Sequence, residues 1–210
     1  MAARWTIVVP VKETAVGKSR LGAFGTDRPR LALAMALDTI EAVVSSAEVG
    51  DVVVVSSDRK LAAALDAPRE GGSAGVHIVP DDGTGLDGAL LTGIEAATRI
   101  TAYVAVLTAD LPGLRPDDLN DVLAAAVQHR LGVVADADGT GTTLLTATEI
   151  GALAPRFGEG SLAAHRAQGA ALLDAPATLR RDVDVPAHLE ELGTALGART
   201  ASIVARRAVP

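Results

Sequence analysis

The sequence predicts an α/β fold, a single-domain three-layer sandwich built on a mostly parallel central sheet. Three observations predict it. Apolar runs such as TIVV and VVVV are too hydrophobic for half-exposed strands and belong in a sheet covered on both faces. These runs alternate with helical stretches, which is the pattern of βαβ units. The 210 residues contain no internal repeat and no linker long enough to mark a second domain, and a chain of this length can bury one core.

The elements follow in order. WTIVVP, residues 5–10, is the first strand, and a loop follows it to about residue 26. Asp27 is placed to cap a helix in which Pro29 is tolerated in the first turn, and Leu33, Leu37, Ile40 and Val44 share one face. DVVVVSS, 51–57, is the second strand and 59–66 a short helix. A third strand covers 76–80, and the Gly-rich 81–88 leads into a helix through Arg99. AYVAVLT, 102–108, is the fourth strand; Pro116 opens a helix to about His129; 131–135 is a further strand. After residue 136 the alternation stops. DADGTGTTLLTA and ALLDAPATLRRDVD look extended, with a short helix over 162–168 between them. Pro186 starts a last helix to about 196, and the tail, 198–210, is expected to be an edge strand or a loose end.

Composition narrows the chemistry. There is no cysteine, so disulfides and thiolate metal sites are excluded, and any metal must be held by oxygen or imidazole. No apolar run approaches the roughly 18 residues of a membrane span. The first residues are too short and polar-flanked for a signal peptide, and the expected location is the cytosol. A net charge of −7 argues against a nucleic-acid surface. The first 30 residues nevertheless carry Arg4, Lys12, Lys18, Arg20, Arg28 and Arg30 against Glu13 and Asp27. That segment suits a small anionic ligand, or is simply a solvated loop.

Gly17-Lys18-Ser19 after the first strand resembles the end of a Walker loop, G-x-x-x-x-G-K-[ST]. Lys12 stands where the first glycine is required, and Gly22 and Gly25 interrupt the helix that should follow. The dinucleotide fingerprint G-x-G-x-x-G is absent as well. What remains is a loop carrying Lys12, Lys18 and Arg20 at the carboxyl end of a parallel strand, where open α/β sheets bind ligands. Ammonium and guanidinium groups there suit a triphosphate.

Two groups of carboxylates stand out. Asp110 follows VAVLTA directly, at the end of a buried strand, with Pro112 enforcing the turn; it caps that turn or binds Mg²⁺. In LRRDVDVP, Asp182 and Asp184 alternate with apolar positions and face one way. Arg180 and Arg181 could neutralise them, or a cation could separate them. Asp182 is the expected ligand, and Asp184 a helper or the N-cap of the helix begun by Pro186.

VPVK with KSRL, GLDGALLTGI, ADLPGL, DGTGTTLL, RFGEGS followed by AAH, and LRRDVDVP occur in that order along nearly the whole chain. Together they resemble the guanylyltransferases of deazaflavin coenzyme F-420 biosynthesis, most closely the bacterial phosphoenolpyruvate type; archaeal relatives act on 2-phospho-L-lactate. The resemblance implies a Rossmann-like domain of the nucleotide-diphospho-sugar transferase type, GTP as substrate and two Mg²⁺ ions. It implies that Asp110 and Asp182 are metal-binding carboxylates and that Lys12 faces the phosphates. It implies that Thr142, Gly158 and Ser161 hold phosphoenolpyruvate. The residue types agree: Thr142 and Ser161 offer hydroxyls, and Ser161 stands at a predicted helix start. It implies too that Gly85, Leu86 and Asp87 fall in the nucleotide-binding stretch. Asp87 stands where an amide is expected and can accept from guanine N–H groups, or touch the ribose.

The reaction so implied needs no general base, because the attacking phosphate is ionised at pH 7; His165 could contact substrate but need not. The product is short-lived, which implies a transferase that consumes it. The alternatives are the same chemistry on 2-phospho-L-lactate or 3-phosphoglycerate, another nucleotidyltransferase of this fold, or a GTP-binding partner protein without catalysis.

Overall fold

The strands form where the apolar runs lie: β1 (Trp5–Pro10), β2 (Val49–Val55), β3 (Gly75–Val79), β4 (Val104–Leu107), β5 (Leu131–Ala135), β6 (Thr142–Ala147) and β7 (Ala171–Leu172). The computed structural model describes residues 4–15, 18–66 and 74–207. In it the strands make one sheet in the order β3-β2-β1-β4-β6-β5-β7. β1 pairs in parallel with β2 and β4, β2 with β3, and β5 with β7. β6 runs antiparallel to both neighbours. It turns back because Asp136 accepts hydrogen bonds from the amides of Thr140 (2.9 Å) and Gly141 (2.8 Å), closing a tight loop after β5.

The helices are α1 (Arg28–Val44), α2 (Arg59–Leu65), α3 (Leu86–Thr98), α4 (Pro116–Ala126), α5 (Ser161–Ala167), α6 (Ala177–Arg180), α7 (Pro186–Leu192) and α8 (Ala198–Arg207). None is long and apolar enough to cross a membrane. Period-2 alternation sorts the buried side chains to two faces. Ile7, Val9, Val52, Val54, Ala105 and Leu107 pack with α1, α2 and α4. Val8, Val53, Val55, Val104 and Val106 pack with Ala89, Leu90, Ile94 and Ala97 of α3. This is the expected sandwich. α3 comes unusually close at Gly93, where a Cβ would lie 2.4 Å from Val8 and 2.6 Å from Val55 side-chain carbons.

Three expectations need correction. The stretch before α1 is a 3-10 segment, Ser19–Asp27, not an open loop. It runs directly into α1, so Asp27 already has helical φ/ψ (−84°, −10°) and its side chain makes no cap. The tail is neither an edge strand nor loose through residue 207: it is α8, and residues 208–210 lie outside the described ones. Its first turn is capped from another helix, because buried Asp38 of α1 accepts from the amides of Arg199 (3.2 Å) and Thr200 (2.8 Å). Ile203 and Val204 then pack against a cluster of Leu21, Phe24, Leu31, Met35, Val183, Leu189 and Leu192. That cluster joins the 3-10 segment to the C-terminal helices.

Gly93→Val is expected to lower unfolding stability by about 1–3 kcal/mol through overpacking between α3 and the sheet. Chemical denaturation checks this.

Candidate active site

The site forms where β1 and β4 end. Val11 N–H donates to Val55 C=O (2.9 Å), carrying the β1–β2 ladder one residue into the loop. The Thr14 amide and hydroxyl donate to Asp58 Oδ2 at 2.9 and 2.5 Å. Asp58 also caps α2 through Lys60 N–H (2.8 Å) and Leu61 N–H (3.2 Å). Burial alone would raise the Asp58 pKa, but the bonds from Thr14 and the α2 amides outweigh it and hold the carboxyl below its usual range. The loop then delivers Lys18 in a left-handed conformation, φ 56°. Val16 and Gly17 lie outside the described residues, so only the Lys18 part of the Gly-Lys-Ser motif is placed.

Asp110 follows β4 at the turn that Pro112 shapes. The 180–184 segment is stitched to this turn by one backbone bond, Val183 N–H to Asp110 C=O, 3.0 Å. Through it Asp110, Asp182 and Asp184 each place a carboxylate oxygen within 4.8 Å of the others. Lys18 Nζ donates to Asp110 Oδ2 and, at 2.7 Å, to Asp184 Oδ1. Arg20 lies 3.9 Å from Asp184 and is mostly exposed.

Arg180 and Arg181 do not neutralise this cluster. Arg180 donates to the carbonyls of Ala135 (3.2 Å) and Asp136 (3.0 Å). Arg181 pairs with Asp138 (3.3 Å) and Glu191 (2.9 Å). Nor does Asp184 cap the following helix: Val185 occupies the N-cap of α7, and no side chain caps it.

The electrostatics are strained. Three carboxylates face one ammonium. Burial, then the charges of Asp110 and Asp184, push the Asp182 pKa up to about 6 against the opposing pull of Lys18. Burial alone would lower the Lys18 pKa, but Asp110 and Asp184 outweigh it and raise it. For Asp184 burial works upward, and the Lys18 bond and charge, with Arg20 and His188, bring it below the usual range. Asp110 Oδ1 is buried and has no hydrogen-bond partner among the described residues. An orphaned carboxylate oxygen beside two further carboxylates, all hard oxygen donors, fits a divalent cation of the Mg²⁺ type. These three residues could hold one.

A cleft of about 790 Å³ opens beside the cluster. Lys12, Lys18 and Arg20 line it from the β1 side, Gly85 and Leu86 from the start of α3, and Asp110 and Asp184 at the acidic end. Asp87 is exposed and is not part of the lining; Asp81 and Asp82, one turn earlier, are. The guanine or ribose contact expected of Asp87 stays an expectation: the residue is exposed in the first turn of α3, next to Leu86 of the cleft wall. Thr108 also lines the cleft, with a hydroxyl that has no partner among the described residues, a feature hidden in the sequence within an apolar strand.

Thr142, Gly158 and Ser161 form a second group, joined to the cleft through Phe157, which lines it. Thr143 C=O accepts from Thr108 N–H (3.0 Å), so Thr142 lies across the sheet from the residue before Asp110. Its hydroxyl is 2.9 Å from His165 Nδ1, and Arg156 N–H donates to His165 Nε2 at 2.8 Å. His165 is 0% exposed, and the Phe157 ring meets it edge-on at 5.3 Å. Ser161 is buried, and Gly158 sits at φ 124°, a region other residues rarely enter. His165 is thus a buried strut rather than a cleft residue; its spacing from RFGEGS was the only signal in the sequence.

Residues 5–171 match the model of the family described as "Guanylyl transferase CofC like". The chain belongs to this family. A Streptomyces coelicolor member named phosphoenolpyruvate guanylyltransferase is 46% identical over 211 residues, covering 97% of each chain. Among solved structures, a Desulfovibrio desulfuricans G20 protein provisionally described as a nucleotide-diphospho-sugar transferase superposes with a TM-score of 0.71. It is 15% identical and covers 98% of this chain and 96% of its own, a likeness that shows the fold. Rv0371c of Mycobacterium tuberculosis, solved in complex with manganese, superposes with a TM-score of 0.53 at 19% identity, covering 91% of this chain and 98% of its own.

Burial without a charged partner lowers the His165 pKa to about 4. The unfolded ring titrates near 6.5, so the stability held by the neutral ring is full above that pH. It is lost as pH falls through the folded value, on the order of 3 kcal/mol in all. Urea melts between pH 7 and 4 should therefore show a shallower acid loss in His165→Gln than in wild type.

Proposed function

We propose that the protein is a guanylyltransferase of coenzyme F-420 biosynthesis, acting in the cytosol on GTP and phosphoenolpyruvate. It would release pyrophosphate and form enolpyruvyl-diphospho-5'-guanosine. The observation that carries this is the convergence of Asp110, Asp182 and Asp184 with Lys18 at the mouth of a nucleotide-sized cleft. The names of the curated relatives support the acid and the nucleotide.

In this reading a phosphate oxygen of phosphoenolpyruvate attacks the α-phosphorus of GTP, and pyrophosphate leaves in line. The attacking oxygen is already ionised, so the residues need not remove a proton. Their task is to overcome repulsion between anions and to align them. Lys12 and Arg20, exposed on the cleft wall, meet the triphosphate. Lys18 screens Asp110 from Asp184 and keeps the acidic side chains converged. Gly85 and Leu86 border the nucleoside end. Thr142 and Ser161 hydroxyls, with the backbone at Gly158, receive the acid. Asp110 and Asp182, helped by Asp184, would hold Mg²⁺, two ions in the full site, which supplies charge neutralisation on the transferring phosphoryl group. A following transferase consumes the activated product.

The deciding experiment measures pyrophosphate release with Mg²⁺ from GTP, ATP or CTP against phosphoenolpyruvate, 2-phospho-L-lactate and 3-phosphoglycerate. Release with GTP and phosphoenolpyruvate above all other pairs is expected; preference for another acid or nucleotide reassigns the substrate, and GTP binding with no release removes the enzyme. Asp110→Asn should lower kcat by about a hundredfold or more, roughly 2.7 kcal/mol of barrier, while the far-UV spectrum and melting temperature stay near wild type. Turnover within a few-fold of wild type would take Asp110 out of the reaction.

A further inference from the structure

We propose that His165 is a positioning residue for the acceptor acid: its imidazole fixes the direction of the Thr142 hydroxyl and locks the 156–161 turn that borders it. This rests on the guanylyl-transfer reading above and adds to it a residue that never reaches the cleft.

The tautomer follows from the bonding. The Arg156 amide can only donate, so Nε2 accepts, and a neutral ring must carry its proton on Nδ1. Nδ1–H therefore donates to Thr142 Oγ1 across 2.9 Å. That bond occupies a lone pair of the hydroxyl and leaves its own proton to be given elsewhere. Among the described residues this hydroxyl makes no other hydrogen bond, although Thr142 is only 6% exposed. A nearly buried donor with an unspent proton points to a ligand oxygen as its acceptor. Its place supports this: Thr142 lies across the sheet from the residue before Asp110, at the edge where the acid must meet the nucleotide.

The same ring fixes the turn. Arg156 N–H ends on it, and the Phe157 ring, part of the cleft wall, packs edge-on against it. One further bond closes the turn on itself, Ser161 N–H to Gly158 C=O (3.2 Å), and another ties it to the loop before β6, Leu162 N–H to Thr140 C=O (3.1 Å). One imidazole thus bridges the strand that carries Thr142 and the turn that carries Gly158 and Ser161. Neutrality is required, because a protonated ring could not accept from Arg156. Complete burial with no acidic partner enforces it.

The test uses two substitutions that each keep one half of the bridge. His165→Asn places its amide near the Nδ1 position and retains a donor for Thr142. His165→Gln reaches the Nε2 position and retains only an acceptor for Arg156. Steady-state kinetics of the full chain with GTP and phosphoenolpyruvate should show KM for the acid raised about tenfold in His165→Gln, the loss of one directed hydrogen bond. The rise should be smaller in His165→Asn, with KM for GTP within about twofold of wild type in both. Titration of each variant with GTP checks that the nucleotide half is folded. Equal KM shifts in the two variants, a parallel shift for GTP, or an unchanged KM for the acid would overturn the role. A second measurement does not depend on turnover: ¹⁵N spectra of the wild-type imidazole should show the Nδ1–H tautomer at pH 7 and no protonation down to pH 5. The other tautomer, or a ring titrating near the free value, sinks the proposal. Wild type that turns over no acid removes the reaction itself; an active wild type with unaffected variants removes only His165.

Discussion

Three carboxylates with one lysine between them are the constraint around which this end of the molecule is arranged. Asp110, Asp182 and Asp184 come within 4.8 Å of one another although more than seventy residues separate the first from the others. Like charges at that distance in a half-buried place repel, and burial first, with this repulsion added, raises the Asp182 pKa. The convergence persists because the backbone imposes it: Val183 N–H is bonded to Asp110 C=O, and the buried Val183 side chain packs among Leu21, Met35 and Leu189. Lys18 then lowers the cost by bonding two of the three.

Much of the remaining architecture can be understood as support for that junction. The buried sheet fixes the ends of β1 and β4 side by side, so the loops leaving them share an edge. The C-terminal helices keep Val183 in place from the other side, and Asp38 caps α8 so that it can pack there. Asp110 Oδ1 is the one carboxylate oxygen among the buried side-chain atoms left without a hydrogen-bond partner in the described residues, and it lies where three carboxylates share a single bonded lysine.

The two arginines of LRRDVDVP show how local charge patterns mislead. They are adjacent to Asp182 in sequence, yet both are committed to other partners. Arg180 ties the helix α6 to the end of β5, which orients the following extended residues. Arg180 is the last residue of α6 and Arg181 its C-cap, and from there the two side chains reach the end of β5, Asp138 and Glu191. His165 teaches the reverse lesson. It appears in the sequence as one histidine with no partner in view, and in space it joins β6 to the turn before α5.

By itself the sequence determined the sheet and its helices, because continuous Val, Ile and Leu runs and 3.6-period faces are local properties that tertiary contacts had no reason to override. It also held the motifs that place the chain in its family, and it exposed the acidic residues at strand and segment ends. Only the tertiary structure decided which charges meet. Lys18 paired with Asp110 and Asp184 across 92 and 166 residues, Arg180 and Arg181 went to partners other than Asp182, and the tail became a helix because Asp38 of α1 caps it. The physical reason is common to all three: hydrogen bonds and ion pairs between distant segments depend on how the packed layers bring chain ends together. No pattern of neighbouring residues encodes that distance.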